Sequence, residues 1–287
     1  MSGMTLLAPA KINLGLFVHG KRPDGYHEIE TVLQMVSLYD EITIDEGERI
    51  ELILDGFGLP AGEENLIVRA ARLICREVGK EPQFRIRLKK KIPVGAGLGG
   101  GSSDAASTLA GLNRLWGNPL SRERLMELSV QLGMDVPFFL FSATAKATGR
   151  GEILDALPSP APSLWVLLVH PALKVSTREV YEGLKLGLTT KHKHISMRRF
   201  SVTTFKNGPS ELSNDLERVT FKAYPLLREI KESLFELGAL GGAMSGSGST
   251  LFGIFPDREA ADAAGRALEL RKGLTVNLVH TLDTIPA

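Results

Sequence analysis

Only one cysteine, Cys75, occurs in the 287 residues. An internal disulfide is excluded, and a reducing compartment is expected. Cys75 closes the run Ile67-Val-Arg-Ala-Ala-Arg-Leu-Ile-Cys75, which has helical spacing with Cys75 on its buried side, so it reads as a core residue. An excess of one charge is also missing. The 34 Lys and Arg against 33 Asp and Glu leave a net charge of +1. No global field favours a nucleic acid or a membrane as partner. The apolar stretch at the start is broken by Pro9, Lys11 and Asn13. It therefore reads as neither signal peptide nor membrane span, and a cytoplasmic location is expected. No internal repeat or low-complexity tract stands out. What is present, 43% hydrophobic and 23% charged residues, is ordinary for a folded soluble chain. A chain of this length buries about 75% of its unfolded surface.

Glycine is concentrated rather than scarce. Residues 93–104 read Pro-Val-Gly-Ala-Gly-Leu-Gly-Gly-Gly-Ser-Ser-Asp, with five glycines in the seven residues 95–101. Such a loop lets the backbone approach a ligand and turn amide N–H groups inward. Ala105, Ala106, Leu109, Leu112 and Leu115-Trp116 follow at helical spacing, with Ser102 or Ser103 as the expected N-cap. A helix N-terminus behind a glycine loop is a phosphate cradle. The loop lacks the Gly-Lys-Ser/Thr ending of a Walker A motif, which excludes that class. Gly95-x-Gly97-x-x-Gly100 matches a dinucleotide fingerprint literally, with Glu123 at a suitable distance. The strand ahead of it argues against that class. Phe84-Arg-Ile-Arg-Leu-Lys-Lys90 alternates strictly, as a half-exposed strand does, whereas a dinucleotide fold needs a buried apolar run. A protein-kinase loop would join two strands, not open a helix.

Along the chain, strands are expected over 5–19, 28–37, 40–46, 50–54, 84–90, 164–169, 239–244, 249–255 and 274–281. Helices are expected over 65–79, 103–116, 121–132, 176–186, 224–237 and 257–270. A turn falls at Arg22-Pro-Asp-Gly25. Pro158, Pro160 and Pro162 mark a junction between two parts, 1–157 and 158–287. The pattern is α+β. The basic run Lys191-His-Lys-His-Ile-Ser-Met-Arg-Arg199 reads as a solvated loop, and His192 and His194 within it are not taken as a metal site.

Pro-x-Gly-x-Gly-Leu-Gly-Gly-Gly-Ser-Ser resembles the central phosphate-loop motif of the GHMP kinase superfamily. The other two motifs of that superfamily have counterparts in order: Ala8-Pro-Ala-Lys-Ile-Asn-Leu14 and Met244-Ser-Gly-Ser-Gly-Ser-Thr-Leu-Phe-Gly253. Asp24-Gly-Tyr-His-Glu28 and Gly133-Met-Asp-Val-Pro-Phe-Phe139 narrow the resemblance to the branch acting on 4-diphosphocytidyl-2-C-methyl-D-erythritol. It spans most of the chain and is weakest over about 183–208. It implies a two-part fold: an N-terminal mixed sheet with helices, and a C-terminal sandwich of antiparallel sheet and helices. It implies transfer of the γ-phosphoryl group of ATP, with Mg²⁺, to the 2-hydroxyl of a small-molecule substrate carrying a cytidine diphosphate group.

The same resemblance distributes roles. Lys11 and Asp135 are the implied catalytic pair, with Asp135 as general base and Lys11 keeping it ionised and oriented. Taken alone, Lys11 reads as an edge-strand lysine and Asp135 as a helix cap ahead of Pro137. Pro93, Val94, Gly95, Ala96, Gly97, Leu98, Gly99, Gly100, Gly101, Ser102 and Ser103 are the implied nucleotide loop, with Ser103 a contact to Mg²⁺ by analogy. Asn65 is either a helix cap or a nucleotide-site residue. Tyr26 offers a ring to stack on the base, and His27 a match to its donor and acceptor edge. Tyr181 is a second ring or a packing residue of its helix, following Thr177. Asn13 holds substrate near Lys11, and Gly246 belongs to the loop that closes over the phosphates. The alternatives are another GHMP kinase acting on homoserine or a mevalonate derivative, a dinucleotide-dependent oxidoreductase, and a kinase-like binding protein without activity. The Asp-Gly-Tyr-His segment speaks against the first, since those acceptors have no base to read.

Overall fold

The first strand, β1 (Met4–Lys21), is buried without a break from Ala8 to Val18. Its even residues Leu6, Ala8, Ala10, Ile12, Leu14, Leu16 and Val18 are all buried, and they enter three successive hydrophobic clusters. Side chains two apart share a face of a strand. One row of apolar residues thus joins every core of the molecule. The computed structural model describes residues 3–55, 60–160, 162–184 and 212–286. The basic run 191–199, with His192 and His194, lies outside the described residues.

β1 pairs antiparallel with β2 (His27–Glu46), with register shifts between Pro9 and Ala10, Asn13 and Gly15, and Val18 and Gly20. The two segments expected at 28–37 and 40–46 are one continuous strand, because both of its halves find partners. β3 (Glu51–Asp55) and β4 (Phe84–Lys89) pair in parallel, while β5 (Thr144–Thr148) and β6 (Ile153–Ala156) extend the sheet antiparallel. The order is β3-β4-β2-β5-β6 with β1 on β2. β4 shows the expected alternation, with Phe84, Ile86 and Leu88 buried and the residues between them exposed. Helices α1 (Leu66–Val78), α2 (Gly100–Leu115), α3 (Arg122–Val130) and α4 (Val136–Phe141) complete this part. Cys75 is buried in α1, and burial pushes its thiol up to about 11. It is a core residue with little thiolate character.

The chain crosses to a second sheet between β6 and β7 (Trp165–Pro171). There the order is β10-β7-β9-β8, antiparallel throughout, with β8 (Gly241–Met244), β9 (Leu251–Phe255) and β10 (Leu274–His280). Helices α5 (Thr177–Glu182), α6 (Glu217–Ala223), α7 (Pro225–Glu236) and α8 (Arg258–Glu269) accompany it. This is the two-part α+β GHMP kinase fold that the motifs imply. Ala10, Ile12, Leu14 and Val36 pack with Val166, Leu168, Phe252 and Ile254 of the second sheet in one cluster, so the two parts share a core.

One polar group is embedded in the first part. The Lys90 ammonium binds carboxylates of both Asp40 and Asp104, the latter at 2.8 Å, and all three are buried. Burial pushes the Asp104 carboxyl up to about 7, against the pull of Lys90. A carboxyl raised by folding adds stability that is fully present below its ordinary value of 3.8 and is lost as pH rises through about 7. Asp104→Asn removes that titration. In urea unfolding, the wild type should lose stability relative to this variant between about pH 4 and pH 7. Parallel curves at the two pH values would show that Asp104 does not titrate there.

Candidate active site

Between the buried Ala10, Ile12 and Leu14, Lys11 and Asn13 of β1 face the other way and lie side by side. Asn13 Oδ1 accepts from Lys11 Nζ at 2.7 Å. Asn13 Nδ2 donates to Thr31 Oγ1 at 2.8 Å, and that hydroxyl donates to the Gly15 carbonyl at 2.6 Å. The chain of bonds orients a lysine whose side chain is only 5% exposed. Asp135 Oδ2 stands 3.7 Å from Lys11 Nζ and is 43% exposed. Asp135 occupies the N-cap of α4, yet its side chain makes no capping bond. The carboxylate is therefore available to a ligand.

The glycine loop is anchored by its non-glycine residues. Ala96 and Leu98 are buried in the shared core, and the Leu98 carbonyl accepts from Lys11 N at 2.9 Å. Val94 is exposed. Gly97 has φ +78, and a Cβ there would fall 2.0 Å from the Ser245 carbonyl oxygen. Ser245 Oγ in turn donates to the Gly97 carbonyl at 2.9 Å, and Thr250 N donates to Ala96 O at 3.2 Å. The loops from the two parts of the fold thus touch backbone to backbone. Asn214 Nδ2 steadies the second loop from the carbonyls of Met244 and Gly246, at 2.7 Å each.

The start of α2 differs from expectation. Its N-cap is Gly99, at φ +69, with no side-chain capping bond, and Ser102 and Ser103 lie inside the first turn. The helix begins three residues early because Gly99 turns the chain with a backbone conformation a serine would resist. No side chain competes for the first amides of the helix, which leaves them free for an anion. Ser102 lines the cavity beside Gly97 and Gly99. The Ser103 hydroxyl is wholly buried without a hydrogen-bond partner, so it does not face that cavity. Asn65 is an N-cap: its side-chain oxygen accepts from Ile67 N at 2.9 Å. The next residue, Leu66, packs beside Gly101 in the first turn of α2.

A cavity of about 970 Å³ joins these groups. Lys11, Asn13, Asp135, Gly97, Gly99, Ser102 and Gly246 line it together with Tyr26, His27, Thr177 and Tyr181. The His27 and Tyr181 rings stand 5.1 Å apart, tilted by 32°. Thr177 Oγ1 lies 2.7 Å from Ser247 Oγ, tying α5 to the loop after β8. Burial, with Lys21 nearby, lowers the His27 pKa, so its ring is neutral at neutral pH and offers one donor and one acceptor. Burial also raises the Tyr181 phenol, and the Asp135 charge adds to this. Pro93, Val94, Gly95, Ala96, Leu98, Gly100, Gly101, Ser103 and Asn65 do not line the cavity itself.

No motif singles out Arg150, whose guanidinium stacks 5.2 Å from the Tyr26 ring centroid. Its turn is held by bonds from Ile29 N to Gly149 O and from Gly149 N to Glu28. Nor did the sequence mark Thr31 or Asn214, which brace the site through bonds that only the folded chain forms.

The model of the GHMP kinases N terminal domain matches residues 65–143, and that of the GHMP kinases C terminal domain matches 198–273. Over 98% of this chain and 100% of the other, the sequence is 48% identical to a 4-diphosphocytidyl-2-C-methyl-D-erythritol kinase from Geobacter sp. (strain M21). A crystal structure of 4-(cytidine 5'-diphospho)-2C-methyl-D-erythritol kinase aligns with a TM-score of 0.84 at 36% identity, covering 96% of this chain and 99% of that one. Homoserine kinase from Cytophaga hutchinsonii shares the fold at a TM-score of 0.76 and 21% identity, over 100% and 97% of the two chains. Fold and matched segments define an ATP-dependent small-molecule kinase of the GHMP class. Within that class, the chain belongs to the 4-diphosphocytidyl-2-C-methyl-D-erythritol kinase family.

The contact between the two loops can be tested through its glycines. Gly97→Ala would drive a methyl group into the Ser245 carbonyl and should destabilise the protein by about 2 kcal/mol or more. Gly101→Ala, inside α2 and with only an ordinary contact to Leu66, should be neutral or stabilising by about 0.5–1 kcal/mol. Urea midpoints of the two variants check the contrast. Equal effects would contradict the tight approach.

Proposed function

We propose that this chain transfers the γ-phosphoryl group of ATP to the 2-hydroxyl of 4-diphosphocytidyl-2-C-methyl-D-erythritol. The observation that carries this reading is that one cavity holds both an ammonium–carboxylate pair and a cluster of Tyr26, His27 and Tyr181. Phosphoryl transfer needs the pair, and a cytidine-linked acceptor needs the cluster. Residues 1–157 contribute the ATP loop and catalytic pair, and residues 158–287 complete the substrate and phosphate site.

Asp135 accepts the proton of the attacking hydroxyl through its open carboxylate. Lys11 pairs with that carboxylate and orients it, while Asn13 fixes the ammonium. The glycine loop, through Gly97 and Gly99 at the cavity, and the N-terminus of α2 receive the phosphates, with Ser102 adding a hydroxyl. The loop carries no lysine of its own, so Lys11 supplies the positive charge from the protein side. Among the described residues no group of three or more His, Cys, Asp or Glu is arranged to hold a metal. The Ser102 hydroxyl, which lines the cavity, would be this chain's contact to Mg²⁺ carried in on the triphosphate. When bound, Mg²⁺ neutralises charge on the β- and γ-phosphates.

At the other end of the cavity, neutral His27 can match both a donor and an acceptor on the cytosine edge. Tyr26 and Tyr181 offer rings to the base, and Arg150 steadies the first. No described helix is long and apolar enough to cross a membrane. The single buried cysteine supports a cytoplasmic setting.

The decisive experiment is an ADP-release assay with the cytidine-linked acceptor, homoserine and mevalonate side by side. Turnover confined to the first is expected. Turnover of either other acceptor at a comparable rate would overturn the assignment. Asp135→Asn should lower kcat by about 10²–10⁴ while leaving ATP affinity nearly unchanged. Near-normal turnover would return Asp135 to a structural role. Tyr26→Ala and His27→Ala should each raise the acceptor KM by a factor reflecting about 1–3 kcal/mol, with little change for ATP. A lower melting temperature with unchanged acceptor KM would make the 22–28 turn purely structural.

A further inference from the structure

The buried group formed by Asp40, Lys90 and Asp104 has no part in the reaction as described above. Its placement is specific. Asp40 lies within β2, Lys90 follows the end of β4, and Asp104 sits near the start of α2. One ammonium therefore joins three elements. Asp40 does more than pair with it. Its Oδ1 accepts from Lys91 N at 2.6 Å and from Ile92 N at 2.8 Å, the two residues that lead into Pro93 and the glycine loop. At the far end of that loop, a Cβ on Gly100 would meet Lys90 Nζ at 2.8 Å and Ile92 Cγ2 at 2.9 Å. The ammonium thus lies directly against the first turn of the helix that closes the cradle.

We propose that Asp40, Lys90 and Asp104 are positioning residues for ATP: a buried ionic brace that sets the separation and orientation of the two ends of the 93–99 loop. This rests on the reading of that loop as the phosphate site. The physical reason is the weakness of a glycine-rich segment left to itself. Glycine loses more conformational freedom on ordering than any other residue, so a loop of this composition needs its ends fixed to present its amides together. Ala96 and Leu98 pin the middle of the loop in the core, and the brace pins both ends. A wholly buried pair is rigid, because separating its charges in low dielectric is costly. The raised Asp104 carboxyl adds a further advantage. In its neutral form the group carries little net charge beneath a site meant for a polyanion. Lys91, the next residue along, binds Asp40 here only through its backbone N–H.

The test is steady-state kinetics on Asp40 variants of the full chain. Asp40→Ala releases the N–H groups of Lys91 and Ile92. It should raise the KM for ATP at least ten-fold, with the acceptor KM within about two-fold of wild type. Asp40→Asn keeps an acceptor oxygen for both amides but loses the charge that faces Lys90, so it should recover only part of that loss. A merely structural role would lower the melting temperature of both variants yet leave the KM for ATP unchanged in the folded protein, and that result would overturn the proposal. If Asp40→Ala does not fold, amide hydrogen exchange on Asp40→Asn decides. Faster exchange confined to residues 91–100 supports the brace, and unchanged exchange there overturns it. A separate variant isolates the underlying reading. Gly95→Asp puts a negative charge where no protein atom lies within 4 Å of the added Cβ, and Asp tolerates its positive φ better than most residues. If it loses ATP affinity while Asp40→Ala keeps it, the brace fails and the loop stands. If both keep it, the loop itself is not the phosphate site.

Discussion

The double burial of β1 is the constraint on which the rest depends. A strand buried on one face can slide by two residues at modest cost. This one cannot, because its even residues are shared among three clusters while its odd residues Lys11 and Asn13 face the cavity. A slip by one residue would send the ammonium into a core and Ile12 into the cavity. The bulges after Pro9 and Asn13 let the strand follow both layers without losing its long pairing with β2. Burial is also what makes Lys11 useful. An ammonium removed from water acts more strongly on nearby charge, and its bond to Asn13 satisfies it in that position.

A second constraint is that the site belongs to neither sheet alone. The glycine loop arises between β4 and α2, and the loop that meets it joins β8 to β9. Their contact is between backbones, at Gly97 and Ser245, which is why one of the two residues must be glycine. Thr177 with Ser247, and Asn214 with the carbonyls of Met244 and Gly246, extend the same seam. The cavity therefore exists only once both parts have folded and docked, and the shared core of Ala10, Ile12, Leu14, Val166 and Phe252 is what docks them. Within the cavity the electrostatics divide. The Lys11 and Asp135 end presents a charge pair, whereas burial keeps His27 and Tyr181 neutral. A phosphoryl group and a nucleobase are suited by those two settings respectively.

Much of this was legible in the order of residues. The alternation at 84–89, the burial of Cys75, the glycine loop opening a helix and the turn between the last motif's strands all follow from local periodicity and turn chemistry. They read correctly because they depend on neighbours a few residues away. The misses share the opposite cause. Thr144-Ala-Lys-Ala-Thr148 has too little apolar character to announce a strand, and it is one because β2 offers it an edge. The six residues of α4 are apolar on every side and show no helical period. Ser102 and Ser103 look like caps for α2 because serine commonly caps a helix, but Gly99 turns the chain first.

The class of chemistry is legible in the order of residues alone. A glycine loop without a lysine, followed by a helix, demands a cation from elsewhere, and Lys11 and Asp135 stand out by their motifs. That Lys11 and Asp135 meet, that His27 lies against Tyr181, and that Lys90 pairs with two carboxylates are products of the fold. In the run Lys89-Lys90-Lys91 nothing distinguishes the middle residue as buried. The physical reason is that dihedral preferences and hydrophobic period act over a few residues. Whether a charge ends in water or between two aspartates is settled by which surfaces the whole chain brings together.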